Sequence, residues 1–313
     1  MDTSHDADPP EIDWDDLNGH FYSGTPSAYF RTRLNLLVLA AGRPDELAGM
    51  LAEGVRYEGL LAKITPGDKG DGDQRNHTAF LVTESQMLLH HVSEALLRLF
   101  LGHADLSPCP WLECASLTSF RVFRDRVEGL RRSYWPPALR RQVGRVFLGS
   151  AASPTEPSDE WQDAVRAGER LLRLLARRLN EDAHLYNSVK HGMTVVASGD
   201  AYLTIGDSEG RPLIGSSGPS VAFLESERRG DDLVWFEATR WLSLRQTMLL
   251  CDLAVRQIDA LWAVARARYT DADLSSVDVV TNEALDAVMA KDSAAGAVTR
   301  FRRVVAVESR RAT

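Results

Sequence analysis

Cysteine is scarce in this chain: Cys109, Cys114 and Cys251 are the only three in 313 residues. The number is odd, and the spacing fits neither a zinc site nor a thioredoxin-like pair. A disulfide scaffold is excluded, and free thiols in a reducing compartment are expected. Long apolar runs are missing too. The longest candidate, 34–41, falls well short of the roughly 18 residues that a membrane span requires. The segment Met1–Asp16 is acidic, carries Pro9 and Pro10, and has neither the basic start nor the apolar stretch of a signal peptide. The expected location is the cytoplasm, with no membrane partner. The sequence has no P-loop, Gly-rich dinucleotide fingerprint, Gly-x-Ser-x-Gly elbow or His-Glu-x-x-His, which sets those enzyme classes aside. A formal charge of -8 argues against indiscriminate polyanion binding by the whole surface and leaves room for a local basic patch.

What is present is an ordinary globular balance, 44% hydrophobic and 26% charged, enough to build a core without staples. Residues 1–20 read as an acidic disordered tail. Apolar residues at helical spacing predict helices from about Ala28 to Gly42, 45–64, 78–103, 111–132, 138–148, 159–191, 242–269 and 282–290. Gly192 is placed as the C-cap glycine of the helix 159–191. Between 200 and 240 the period changes to alternation, with segments 201–205, 220–226 and 233–239 separated by glycine or charged turns. The expected architecture is mainly α: a helical bundle (21–199 and the long helix 241–270) with an inserted three-stranded antiparallel β meander and a C-terminal extension, 271–313. The extension holds an amphipathic segment at 298–307. The loop 65–76 resembles a calcium loop only superficially, because the twelfth position counted from Asp68 is Ala79 and not a glutamate.

One helix carries unusual chemistry. At about 100° per residue, Asn180, His184, Asn187 and His191 fall on one stripe, extended by Arg177 and Arg173. Leu171, Leu175, Leu185, Tyr186 and Val189 occupy the opposite, core-facing side. Solvated faces are usually built from better helix formers than Asn and His. Either function or buried polar bonding accounts for the stripe.

The run Tyr186-Asn-Ser-Val-Lys-His-Gly192 resembles the motif of HEPN-domain proteins, in which an Arg and then a polar residue precede a His near a helix end, commonly followed by Gly. The resemblance implies an all-α bundle, often a homodimer with a shared RNA site, and in many members metal-independent RNase activity within toxin–antitoxin or defence systems. Asn187 matches the polar residue and His191 the histidine, while Tyr186 stands where the family has arginine. A second register pairs Arg178 with His184, but puts Leu179 at the polar position and lacks the trailing Gly. In a nuclease of this kind His191 moves the proton as the RNA 2′-OH attacks the adjacent phosphate. Lys190 or Arg178 stabilises the phosphate charge, and Asn187 positions the phosphate or the imidazole.

A basic stretch, 120–145, supplies a second candidate surface. Arg124, Arg131, Arg132, Arg140 and Arg141 bind phosphate in this reading, and Trp135 stacks on a base. The competing reading is an amphipathic helix whose arginines pair with the chain's excess acid. On the helix 78–103, Glu94 and Arg98 are spaced to pair. Glu181-Asp-Ala-His184 is a single Glu-x-x-His where a di-iron bundle needs two, so neither a metal nor a cofactor is expected. Two functions remain open: an RNA-binding protein or ribonuclease, and a non-enzymatic helical interaction protein or scaffold with a protein partner.

Overall fold

A computed structural model describes residues 12–62, 71–132, 134–149, 158–191, 194–206, 212–274, 276–290 and 299–309. Gly192, Met193 and Asp68 lie outside them. The chain is mostly helical, with a four-stranded antiparallel sheet and a small hairpin.

The expected tail 1–20 does not hold in its second half, where α1 (Trp14–Tyr22) is folded. The Asp13 carboxylate accepts from the Asp15 and Asp16 N–H groups, and Tyr22 is buried. α2 (Pro26–Gly42) opens with proline at its first position. α3 (Pro44–Glu53) ends at Glu53, where the predicted helix ran to residue 64. Gly54 and Gly59 adopt positive φ, 91° and 88°, and turn the chain into a hairpin of β1 (Val55–Tyr57) and β2 (Leu60–Ala62). Helical periodicity alone could not show this break, since a three-residue strand has no period of its own.

α4 (Asp71–His103) starts earlier than predicted and is the centre of the molecule. Val82, Leu88, Val92, Leu96, Leu97 and Phe100 are wholly buried. The predicted helix 111–132 is two helices, α5 (Pro110–Ser116) and α6 (Phe120–Leu130). The Arg98 guanidinium, already bonded to Glu94 as the spacing required, donates to the Leu117 carbonyl and so ends the first of them. α7 (Pro137–Leu148) and α8 (Asp159–Glu181) meet at two glycines. A Cβ on Gly144 would sit 2.8 Å from the Trp161 ring, and one on Gly168 2.9 Å from Val143.

The predicted helix 159–191 divides at Asp182. Its backbone leaves helical geometry, and its buried carboxylate forms an ion pair with Arg240 of the sheet. α9 (Ala183–Lys190) follows. β3 (Val195–Gly206), β4 (Pro212–Arg229) and β5 (Asp232–Trp241) then run as an antiparallel meander. After α10 (Leu244–Tyr269) and α11 (Asn282–Met289), the chain returns as β6 (Arg300–Ser309), which pairs with β5. The sheet therefore has four strands in the order β3-β4-β5-β6, where three were expected. The amphipathic tail segment is that fourth strand. Its Arg300 and Arg302 reach past β5 to the buried Glu225 of β4, and Arg302 lies 3.9 Å from the centre of the Phe236 ring.

The main core joins α4 to α8 and α10, with α2 and α7 packed outside. A smaller core joins Val221, Phe223 and Ala238 of the sheet to Val82 of α4 and to Leu185 and Val189 of α9. This second core sets the rotation of α9, and hence the side chains that α9 shows to solvent. Among the described residues no helix is long and apolar enough to cross a membrane.

Candidate functional site

With Leu185 and Val189 held inward, α9 exposes His184, Asn187 and Lys190, and its C-terminal cap His191 is exposed as well. The His191 N–H donates to the Asn187 carbonyl at 2.9 Å, which keeps the two residues one turn apart. Asn180 does not join them on a continuous helix. It belongs to α8, where its amide donates to Glu128 at 3.3 Å. Arg178 turns the other way, into a cleft between α4, α8 and α9.

Tyr186 sits half-buried between the exposed face of α9 and the surface of α4. Its ring stacks on the buried His90, with centroids 3.7 Å apart and planes 11° from parallel. The Lys190 ammonium lies 5.6 Å from the ring centre. The phenolic oxygen is 2.9 Å from His91 Nε2. His91 Nδ1 is in turn 2.9 Å from the Arg33 guanidinium of α2, which also forms an ion pair with Glu84.

The direction of each bond in this chain follows from its ends. Arginine has donors and no acceptor, so Arg33 donates to His91 Nδ1 and that nitrogen carries no proton. The proton of the neutral imidazole is then on Nε2, which donates to the Tyr186 oxygen. The hydroxyl proton of Tyr186 is left for another acceptor. Burial, then the Arg33 charge, holds His91 below the usual histidine range, which keeps it neutral. Burial raises the Tyr186 phenol above its ordinary value, with the Glu94 charge adding to the shift, so the phenol stays protonated and acts as a donor.

The basic stretch divides between the two readings open to it. Arg124, Arg132 and Arg141 are exposed, and so is Tyr134. Arg131 pairs with Glu128 at 2.7 Å and Arg140 with Glu169 at 3.0 Å, so part of the arginine content is bound by acid. Trp135 cannot stack on a base. It is wholly buried, its Nε1 donates to the Leu130 carbonyl at 3.0 Å, and Arg173 lies 5.7 Å from its ring centre. An indole is the largest apolar group available to fill the gap after α6, and burial of its face outweighs its use at the surface.

Among the described residues no group of three His, Cys, Asp or Glu side chains is arranged to hold a metal ion. Where Glu84 and His91 approach, the Arg33 cation lies between them. Sequence reasoning placed Tyr186 on the core face and did not single out His90 or Arg33. The available signals were two adjacent histidines in a helix with a dense apolar face and an arginine immediately before the apolar run of α2. No family model, curated protein or solved structure matches this chain.

Proposed function

We propose that this chain is a HEPN-like RNA-binding protein with metal-independent ribonuclease activity, and that α9 presents its phosphodiester site. Tyr186, Asn187, Lys190 and His191 form the site. The observation that carries the reading is the Arg33–His91–Tyr186 chain of hydrogen bonds, which leaves a protonated phenol donor beside the Lys190 ammonium. Both groups favour a phosphate oxygen that gains charge. Tyr186 occupies the position where the HEPN motif has arginine, and it supplies a donor there in place of the guanidinium. His191, exposed one turn from Asn187, accepts the proton of the RNA 2′-OH as that oxygen attacks the adjacent phosphorus. The bond to the 5′ oxygen breaks, that oxygen takes a proton from solvent water, and the products are a 2′,3′-cyclic phosphate and a 5′-hydroxyl. The experiment is RNA cleavage in excess EDTA, wild type beside His191→Ala. Cleavage by the wild type alone supports the reading. Absence of both cleavage and RNA binding by the wild type ends it.

A second reading, a non-enzymatic interaction protein, has its own support. Tyr29 and Leu36 of α2 are 61% and 60% exposed, and Phe80 of α4 is 53% exposed, an apolar surface of the kind that partners cover. Light scattering across a concentration series tests whether a second copy is one such partner.

A further inference from the structure

β6 forms one edge of the sheet. β5 is its one strand neighbour among the described residues, so its far side carries main-chain N–H and C=O groups that no strand there takes up. Val304 and Val307 are 55% and 56% exposed, and Val305 is exposed between them. Edge strands are commonly kept apart by charge. Here the positive charge is turned back into the sheet. Arg300 and Arg302 bond Glu225 of β4, Arg302 reaches Glu227 as well, and the Arg303 Nε donates to Glu237 of β5 at 2.6 Å. Glu308 is the acid left over. It accepts from the Trp235 indole, a neutral donor, at 2.9 Å, and has no cation partner among the described residues.

The register with β5 fixes which way each of these residues points. Val304 lies opposite Phe236 and Val307 opposite Val234, and residues directly opposite share a face. Both valines therefore extend the face that holds Ala238 and the smaller core. Arg303 lies opposite Glu237 and Glu308 opposite Leu233, on the other face. In a regular strand, residues three apart point to opposite faces. The register shift at Val305 brings Val304 and Val307 onto the same one.

We propose that β6 is a self-association edge, which pairs antiparallel with β6 of a second copy of this chain and joins two four-stranded sheets into one continuous sheet. The order of residues along the strand selects this occupant. When Val304 stands opposite Val307 of the second copy, the same register sets Arg303 opposite Glu308 of the second copy, again on a shared face. Two-fold symmetry repeats both pairs. The shifted stretch Val305-Ala306 meets its own inverse, whereas a regular strand would lose either the valine contact or the ion pair. An in-register parallel pairing would set Arg303 beside Arg303 and Glu308 beside Glu308, which like-charge repulsion disfavours. The proposal does not rest on RNA cleavage, since none of the α9 site residues belongs to this edge.

The test is sedimentation velocity of the full chain over a concentration series that reaches the high micromolar range. A reversible monomer–dimer equilibrium is the expected result for the wild type. Val307→Lys should weaken dimerisation at least ~tenfold and leave the melting temperature of the monomer unchanged, because the side chain is exposed there. Arg303→Glu and Glu308→Arg should each weaken it by setting like charges opposite one another. The two changes combined restore opposite charges, and dimerisation should recover. The second change does not repair the Arg303 bond to Glu237 inside one chain, so recovery reports the contact between copies. Val307→Lys stands by itself should Arg303→Glu fail to fold. Leu36→Glu, on the exposed face of α2, should leave dimerisation as it is. A wild type that stays monomeric throughout, unchanged dimerisation of Val307→Lys, or a double variant no better than either single one would each overturn the proposal. So would a dimer lost in Leu36→Glu and kept in Val307→Lys, which would assign self-association to α2.

Discussion

His91 Nε2 lies 2.9 Å from the Tyr186 phenolic oxygen, and the direction of that bond is set 58 residues upstream, at Arg33. A residue of α2 thus decides which proton a residue of α9 has to offer. Tyr186→Phe removes the acceptor and leaves the His91 N–H without a partner in a half-buried position. A loss of about 1 kcal/mol is expected in urea denaturation. In the RNA reading, the same change should lower cleavage more than it lowers binding, because the phenol acts on charge that grows in the transition state. Equal losses in binding and cleavage would assign Tyr186 to binding alone.

His191→Ala should leave the urea midpoint nearly unchanged, within about 0.5 kcal/mol, because the side chain is exposed and makes no hydrogen bond among the described residues. The variant should retain most of its RNA affinity and lose cleavage. A large loss of stability would show that the imidazole has a structural partner, and the catalytic role would then pass to another residue.

Most of the helical frame was legible because α4, α8 and α10 are long and repeat their apolar residues over many turns. The misread places are short or are decided by distant partners. β1 and β2 have three residues each, too few to show alternation. β6 mixes Arg300, Arg302 and Arg303 into a strand, and those arginines become compatible with the sheet only through Glu225 and Glu237. The α8–α9 break depends on Arg240, 58 positions away from Asp182. At the site, the exposed residues of α9 followed from helical spacing. The Arg33–His91–Tyr186 chain joins three separate helices, and no local pattern announces it.

Two buried histidines make the fold sensitive to acid. Burial lowers His90 to about 3, and it lowers His103 to about 4 even though the Leu99 carbonyl accepts from His103 Nδ1. In the unfolded chain both titrate near 6.5. Between those values the unfolded state binds protons that the folded state refuses, so stability is fully present above pH 6.5 and falls as pH drops toward 4. Each histidine contributes a slope of at most about 1.4 kcal/mol per pH unit. Urea midpoints measured from pH 8 to pH 4.5 should decline below pH 6.5. The decline should be shallower in His90→Phe. A midpoint independent of pH across this range would contradict the burial of both rings.

Trp135 and Arg124 separate folding from recognition in the basic stretch. Trp135 is wholly buried and bonded to the Leu130 carbonyl, so Trp135→Ala opens a cavity between α6, α7 and α8. The expected cost is about 3–5 kcal/mol. Trp135→Phe, which fills much of the same space but drops the indole N–H, should cost less. Arg124 is exposed on α6 and has no bonded partner among the described residues, so Arg124→Ala should leave stability within about 0.5 kcal/mol. If this face binds RNA, combining Arg124→Ala with Arg132→Ala and Arg141→Ala should flatten the dependence of affinity on salt by roughly one unit of slope per lost phosphate contact. Trp135→Phe should leave that slope alone. If the triple variant keeps the wild-type slope, the arginines belong to the acid-paired surface of the bundle, and the RNA contacts lie elsewhere, with α9 as the remaining candidate.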